Sequence, residues 1–136
     1  PAEMHYWVDR VRESLPRAIP VGVMAETPAA ALQIGSWLEV ADFVGLGCND
    51  LMQCLFGADR DLTQLRRYLD PHAPALYRFL RQAAQAIPDR LEQVQLCGVL
   101  PQLPGILPLL LGLAGLAMKL VGRLRGPRRG VPSRTW

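Results

Sequence analysis

Residues 42–53 read D-F-V-G-L-G-C-N-D-L-M-Q. The first part, Asp42 to Gly47, is a short run of mostly apolar residues, with an acid in front and a polar pair behind. A run of this length with β-forming side chains predicts a strand. Asn49-Asp50 then makes a polar turn, and Leu51 to Phe56 predicts a short helix. Upstream, Ile19 to Ala25 is a second such run, bounded by proline and an acid, and predicts a buried strand. Thr27-Pro28 follows as an N-cap and a proline at the first helical position, opening a helix over Ala29 to Val40. Downstream, residues 58–71 are polar and irregular, with a helical turn at Leu62–Leu69. Pro74 opens a helix over Ala75 to Ile87, with Leu76, Phe79, Leu80, Ala83 and Ile87 on one side. Val94 to Cys97 predicts a third strand, closed by Gly98, and Pro104 to Leu113 a last helix. At the start, Met4, Trp7, Val8, Val11 and Leu15 recur at helical spacing over residues 3–15, and Pro16 and Pro20 end that pattern.

Strand and helix alternate three times, which predicts a parallel α/β arrangement. In such folds the chemistry gathers just past the carboxyl ends of the strands. That rule picks out Glu26 after the first strand, Asn49 and Asp50 after the second, and Cys97 at the third.

Composition sets the outer bounds. The 136 residues are 50% hydrophobic and 20% charged, a globular balance that excludes a disordered chain. Three cysteines are too few for a disulfide scaffold and point to a reducing, cytoplasmic setting. No basic-then-apolar leader opens the sequence, and the first residue is Pro1 rather than Met, so a piece of a longer chain is expected. The net charge of +3 is unevenly placed: residues 1–120 sum to −2 and residues 121–136 to +5. The second segment is expected to be a disordered Arg/Pro/Gly-rich tail after a domain over 1–120, and no specific nucleic-acid recognition is expected. Residues 103–121 are apolar enough to compete as a membrane span. Pro104 and Pro108 lie near the start of that run, and a buried helix followed by a strand is the expected alternative, with no span.

Taken together, G-V-M-A-E-T-P-A-A-A-L (22–32), D-F-V-G-L-G-C-N-D-L-M-Q (42–53), A-D-R (58–60), Y-L-D-P-H-A-P-A-L-Y-R (68–78), L-C-G (96–98) and P-L-L-L-G (108–112) form an ordered set. This set resembles the C-terminal PEP-binding barrel of the PEP-utilising enzymes, and within them enzyme I of the bacterial phosphotransferase system. The resemblance runs from Val21 to about Gly112, 92 of the 136 residues. It implies a PEP/pyruvate-type TIM barrel, of which this chain would be the C-terminal part, about half. It also implies transfer of a phosphoryl group from phosphoenolpyruvate to a protein histidine, with release of pyruvate.

The resemblance assigns roles residue by residue. Glu26 and Asp50 match the ligands of Mg²⁺, an ion that prefers hard oxygen donors. The alternative is an acid at a helix N-terminus and a cap. Asn49 matches the residue that hydrogen-bonds the transferring phosphate, or else is a turn residue. Arg60 matches the arginine that contacts PEP with its planar fork, or else is a solvated loop charge. Cys97 matches the proton donor to enolpyruvate, or else is an inert strand cysteine. Cys48 stands where a small hydroxyl residue is usual, and Cys54 is expected in helix packing. His5 and His72 lie far apart, so no zinc site is expected.

The implied partners are phosphoenolpyruvate and pyruvate, a phospho-histidine domain with its downstream phosphocarrier protein, and a second copy in a homodimer. The sequence departs from the pattern after Gly98. Val99-Leu100-Pro101-Gln102-Leu103 stands where an acid and a small-small-Asp turn are usual, and the run after Gly112 is apolar. A second reading therefore stays open: a truncated, diverged, non-catalytic relative, acting as an assembly or regulatory piece or surviving as a gene remnant. On either reading, the isolated chain is expected to be inactive.

Overall fold

The computed structural model describes residues 2–106 and 119–120. Helix α1 (Ala2–Ser14) leads into strand β1 (Gly22–Ala25), the short helices α2 (Pro28–Ala31) and α3 (Ile34–Trp37), and strand β2 (Phe43–Gly47). Helix α4 (Cys48–Phe56) follows directly, then helix α5 (Pro74–Gln85), strand β3 (Val94–Cys97) and the two-residue strand β4 (Lys119–Leu120). Three-residue 3₁₀ turns lie at Arg66–Tyr68 and Leu100–Gln102, and a longer one at Pro88–Gln93.

The strands form one parallel sheet in the order β1-β2-β3-β4. The fold is therefore mixed α/β with a parallel sheet, as the alternation of elements requires. One face of the sheet carries Ala25, Val44, Leu46, Val94 and Leu96, all buried, and the helices pack on it through Ala31, Ile34, Leu38, Leu76, Leu80 and Ala83. In α5 the buried Leu76, Leu80, Ala83 and Ala84 repeat at helical spacing, which makes the helix one-sided. The other face carries Gly22, Met24, Phe43, Gly45, Gly47, Gln95 and Cys97 by register. Met24 on that face is 49% exposed, so the sheet is much less covered there.

Several boundaries differ from the sequence expectation, each for a local reason. Strand β1 starts at Gly22, not Ile19. Pro20 has no N–H for a ladder, and Val21 N–H donates to Asp42 Oδ2 at 2.7 Å instead. The helix expected over Ala29 to Val40 is two pieces: Gln33 N–H turns back to the Ala30 carbonyl at 3.0 Å, a tighter three-residue bond that interrupts the α-helical ladder. Helix α4 starts at Cys48, so Asn49 and Asp50 lie in its first turn rather than in a separate turn. Thr27 is the N-cap of α2, accepting from Ala30 N–H at 3.2 Å, with Pro28 at the first helical position. Of the helix expected over Pro104 to Leu113, residues 107–113 lie outside the described residues, as does the tail at 121–136. No helix among the described residues is long and apolar enough to cross a membrane.

Asp42 ties the start of β2 to β1. The Val21 N–H, and then Arg12 at 3.2 Å, hold its carboxyl below the ordinary value of 3.8. A lowered pKa contributes stability at neutral pH that is lost as the pH falls below about 4. Asp42→Asn is expected to lower folding stability at pH 7 by less than about 1 kcal/mol, because solvent screens the exposed pair. It should also flatten the acid limb. Urea melts of both proteins at pH 7 and pH 3 measure this, and an equal loss at both pH values would remove the carboxylate from the explanation.

Candidate active-site rim at the strand ends

The register fixes the rim. Ala25 pairs with Leu46, Leu46 with Leu96, and Gly47 with Cys97, so the three strands end within one residue of each other. Glu26 therefore leaves β1 beside the end of β2, where Asn49 and Asp50 begin α4. Gly47 gives Glu26 room: a Cβ there would stand 2.6 Å from Glu26 Cγ and 2.7 Å from its Oε1. The Glu26 side chain thus leans across the end of β2, towards the strand that feeds Asp50.

Asp50 sits in the first turn of α4, where the helix dipole favours an acid. It is not a cap, since Gly47 holds the cap position without a side-chain bond. Asp50 Oδ1 accepts from Gln53 Nε2 at 2.8 Å, and Arg60 Nη1 lies 3.6 Å from the same oxygen. Gln53 also accepts the Arg60 backbone N–H at 2.8 Å, and Arg66 Nε donates to the Arg60 carbonyl at 2.9 Å. The loop carrying Arg60 is therefore pinned on both sides of the residue. Gln53 is the site residue that sequence reasoning missed, and its signal was the polar side chain three residues after Asp50 on the same helix face.

Asn49 is half-buried, and its Oδ1 accepts the Val99 N–H at 3.1 Å. This bond locks the amide, because only the carbonyl end can accept, and it leaves the NH₂ as a donor. Gly98 makes the contact possible. Its φ is +107°, and a Cβ there would stand 2.8 Å from Asn49 Oδ1.

Cys97 is half-buried on the less covered face, with its Sγ 3.3 Å from where a Gly45 Cβ would be. Burial first, and then the negative charge of Glu26, push its thiol above the ordinary range. Cys48 is fully buried and pushed up to about 12, mainly by burial. Cys54 is exposed, which corrects the expectation that it packs the helix. With 3.6 residues per turn, Cys48, Leu51 and Met52 share the buried side of α4, and Cys54 falls outside it.

Beside the rim lies a cleft of about 180 Å³ lined by Asn49, Met52, Arg60, Leu69, Pro71, Val99, Leu100 and Leu103. The structure thus brings Asp50, Gln53 and Arg60 into one network, sets Asn49 with Arg60 in the cleft wall, and places Glu26 and Cys97 at the ends of β1 and β3, on either side of β2. Asn49 and Arg60 face the cleft, whereas Glu26, Asp50 and Cys97 lie outside its walls.

Comparison with known proteins decides what this rim belongs to. The family model described as "PEP-utilising enzyme, PEP-binding domain" matches residues 2–120. The chain belongs to the PEP-utilising enzymes. The phosphoenolpyruvate-protein phosphotransferase of Streptomyces coelicolor is 37% identical over 97 residues, which is 71% of this chain and 17% of that protein. Multiphosphoryl transfer protein 2 of Escherichia coli is 38% identical over 82 residues, 60% of this chain and 10% of that protein. The phosphotransferase of Streptococcus equinus is 34% identical over 80 residues, 59% of this chain and 14% of that protein. The chain thus spans between a tenth and a fifth of the length of these relatives of the PEP-utilising family.

The residues present suit a magnesium ion by their donor chemistry. Two carboxylates come from neighbouring strand ends, and one of them lies over a glycine that leaves space. Among the described residues no group of three or more His, Cys, Asp or Glu gathers. Magnesium does not need one, since it is commonly held by one or two carboxylates, with water and substrate oxygens filling the shell.

Proposed function

We propose that this chain is the PEP-binding part of an enzyme I-like phosphotransferase, which moves a phosphoryl group from phosphoenolpyruvate to a protein histidine and releases pyruvate. One observation carries the reading: three parallel strands end level and set Glu26, the Asn49-Asp50 pair and Cys97 along one rim, with Arg60 linked to Asp50. The sheet would be about half of a PEP-type TIM barrel, its C-terminal part, and the remaining strands would cover the Met24–Cys97 face.

Glu26 and Asp50 would hold Mg²⁺. When bound, the ion supplies positive charge against the oxygens of the transferring phosphoryl group. Asn49 offers its NH₂ to a phosphoryl oxygen, with the amide already oriented by Val99. Arg60 presents two parallel N–H donors to a carboxylate or phosphate. Cys97 keeps its proton at neutral pH, because burial raises its pKa. It is therefore set to protonate the methylene carbon of enolpyruvate rather than to attack as a thiolate.

Neither His5 in α1 nor His72 in the loop before α5 stands at a strand end. The accepting histidine would come from a separate domain, which passes the phosphoryl group to a phosphocarrier protein. On this reading the working enzyme is a cytoplasmic homodimer, and the 136 residues alone do not turn over. The direct test is phosphorus NMR of PEP titrated with the chain. Broadening that requires Mg²⁺ is expected, and binding indifferent to Mg²⁺ would contradict the site.

One observation favours the second reading, a non-catalytic relative. Val99, Leu100 and Leu103 place apolar side chains directly after the Cys97-Gly98 end. That reading predicts PEP binding without pyruvate release even inside a complete enzyme.

A further inference from the structure

The cleft beside Asn49 and Arg60 has two chemically unlike ends. We propose that it binds a short carboxylate carrying a branched apolar tail. It rests on the PEP-binding reading only for the identity of the head group, which makes the ligand a 2-oxo acid larger than pyruvate.

The polar end consists of donors. Asn49 Oδ1 is occupied by Val99 N–H at 3.1 Å, so the NH₂ is the group it turns to a ligand. The nearest anion to Arg60 is Asp50 Oδ1 at 3.6 Å, which is beyond hydrogen-bond range and leaves the guanidinium fork its donors. Two side-chain donor groups, one of them cationic, suit an anion, and the planar fork matches a carboxylate.

The remaining wall is Met52, Leu69, Pro71, Val99, Leu100 and Leu103, with no charge among them. A phosphate filling this end would set charge against side chains that cannot solvate it. An apolar tail of a few carbons removes the same wall from water at a gain. The volume of about 180 Å³ limits the ligand to a small molecule, since drug-sized ligands occupy about 300–1,000 Å³.

Pyruvate and 2-oxoisovalerate, titrated separately into the full chain by calorimetry, test the inference. The branched acid should bind roughly tenfold more tightly, the effect of two further buried carbons. Leu103→Asn, at the half-buried edge of the cleft, should erase that preference. Leu69→Asn, on another segment of the wall, should do the same if the first variant folds poorly. Arg60→Gln should weaken both acids. Equal affinities, a preference that survives both wall variants, or no binding of either acid would overturn the inference. The phosphorus titration with PEP separates the two claims. A chain that takes the branched acid but not PEP keeps this cleft and loses the phosphotransfer reading, and the converse result does the opposite.

Discussion

Replacing Asp50 by alanine is expected to cut Mg²⁺-dependent pyruvate release by at least about a thousandfold in a complete phosphotransferase carrying this segment. The size follows from what the side chain does in the proposed site. It is one of two carboxylates available to the ion, and losing a preorganised charge partner of the transition state typically costs about 10²–10³ in rate on its own. Asp50 also faces Arg60 across 3.6 Å and accepts from Gln53 at 2.8 Å, so its loss releases the loop that positions the arginine. Asp50→Asn separates the two effects. It keeps an oxygen for Gln53 but loses the charge, and activity should stay low. The fold should survive both changes, because Asp50 is only half-buried and is not one of the buried core residues. Turnover near that of the parent, with Mg²⁺ still required, would move the metal elsewhere.

Cys97→Ser is expected to slow pyruvate formation by about 10²–10⁴, the usual contribution of a positioned acid or base. PEP affinity should change little, because a proton donor acts in the chemical step and not in ground-state binding. A serine hydroxyl fits the half-buried position but is a far weaker acid. The control is Cys54→Ser, since Cys54 is exposed and has no place at the rim. If both serine variants lose activity equally while remaining folded, Cys97 has no special role.

The strands were legible because each is a short apolar run closed by punctuation: Glu26 after Ala25, the polar pair after Gly47, and Gly98 after Cys97. Val94–Cys97 was legible to the residue, since its flanks change character abruptly. The rim followed from a rule of α/β topology rather than from any one residue, and the parallel pairing has the strand ends level as that rule requires. Helix detail was less legible. A continuous pattern over Ala29 to Val40 hid the break at Leu32-Gln33, which depends on backbone bonds that periodicity does not report. The apolar surroundings of Cys54 looked like packing, yet helix phase turns it outward while Cys48, Leu51 and Met52 turn in. The lock between Asn49 and Val99 joins residues fifty positions apart and had no local signal. Gln53 was within reach, because a glutamine three residues after an acid in a helix can bond back to it.

The account stands or falls on whether this rim handles PEP. The most direct measurement replaces the matching part of the Streptomyces coelicolor phosphotransferase with residues 21–106 and follows pyruvate release with and without Mg²⁺. The account predicts Mg²⁺-dependent turnover within about tenfold of the parent, a difference of roughly 1.4 kcal/mol in the barrier, and its loss on adding Asp50→Ala. A folded chimera that binds PEP but releases no pyruvate, or whose activity ignores Asp50→Ala, would contradict it.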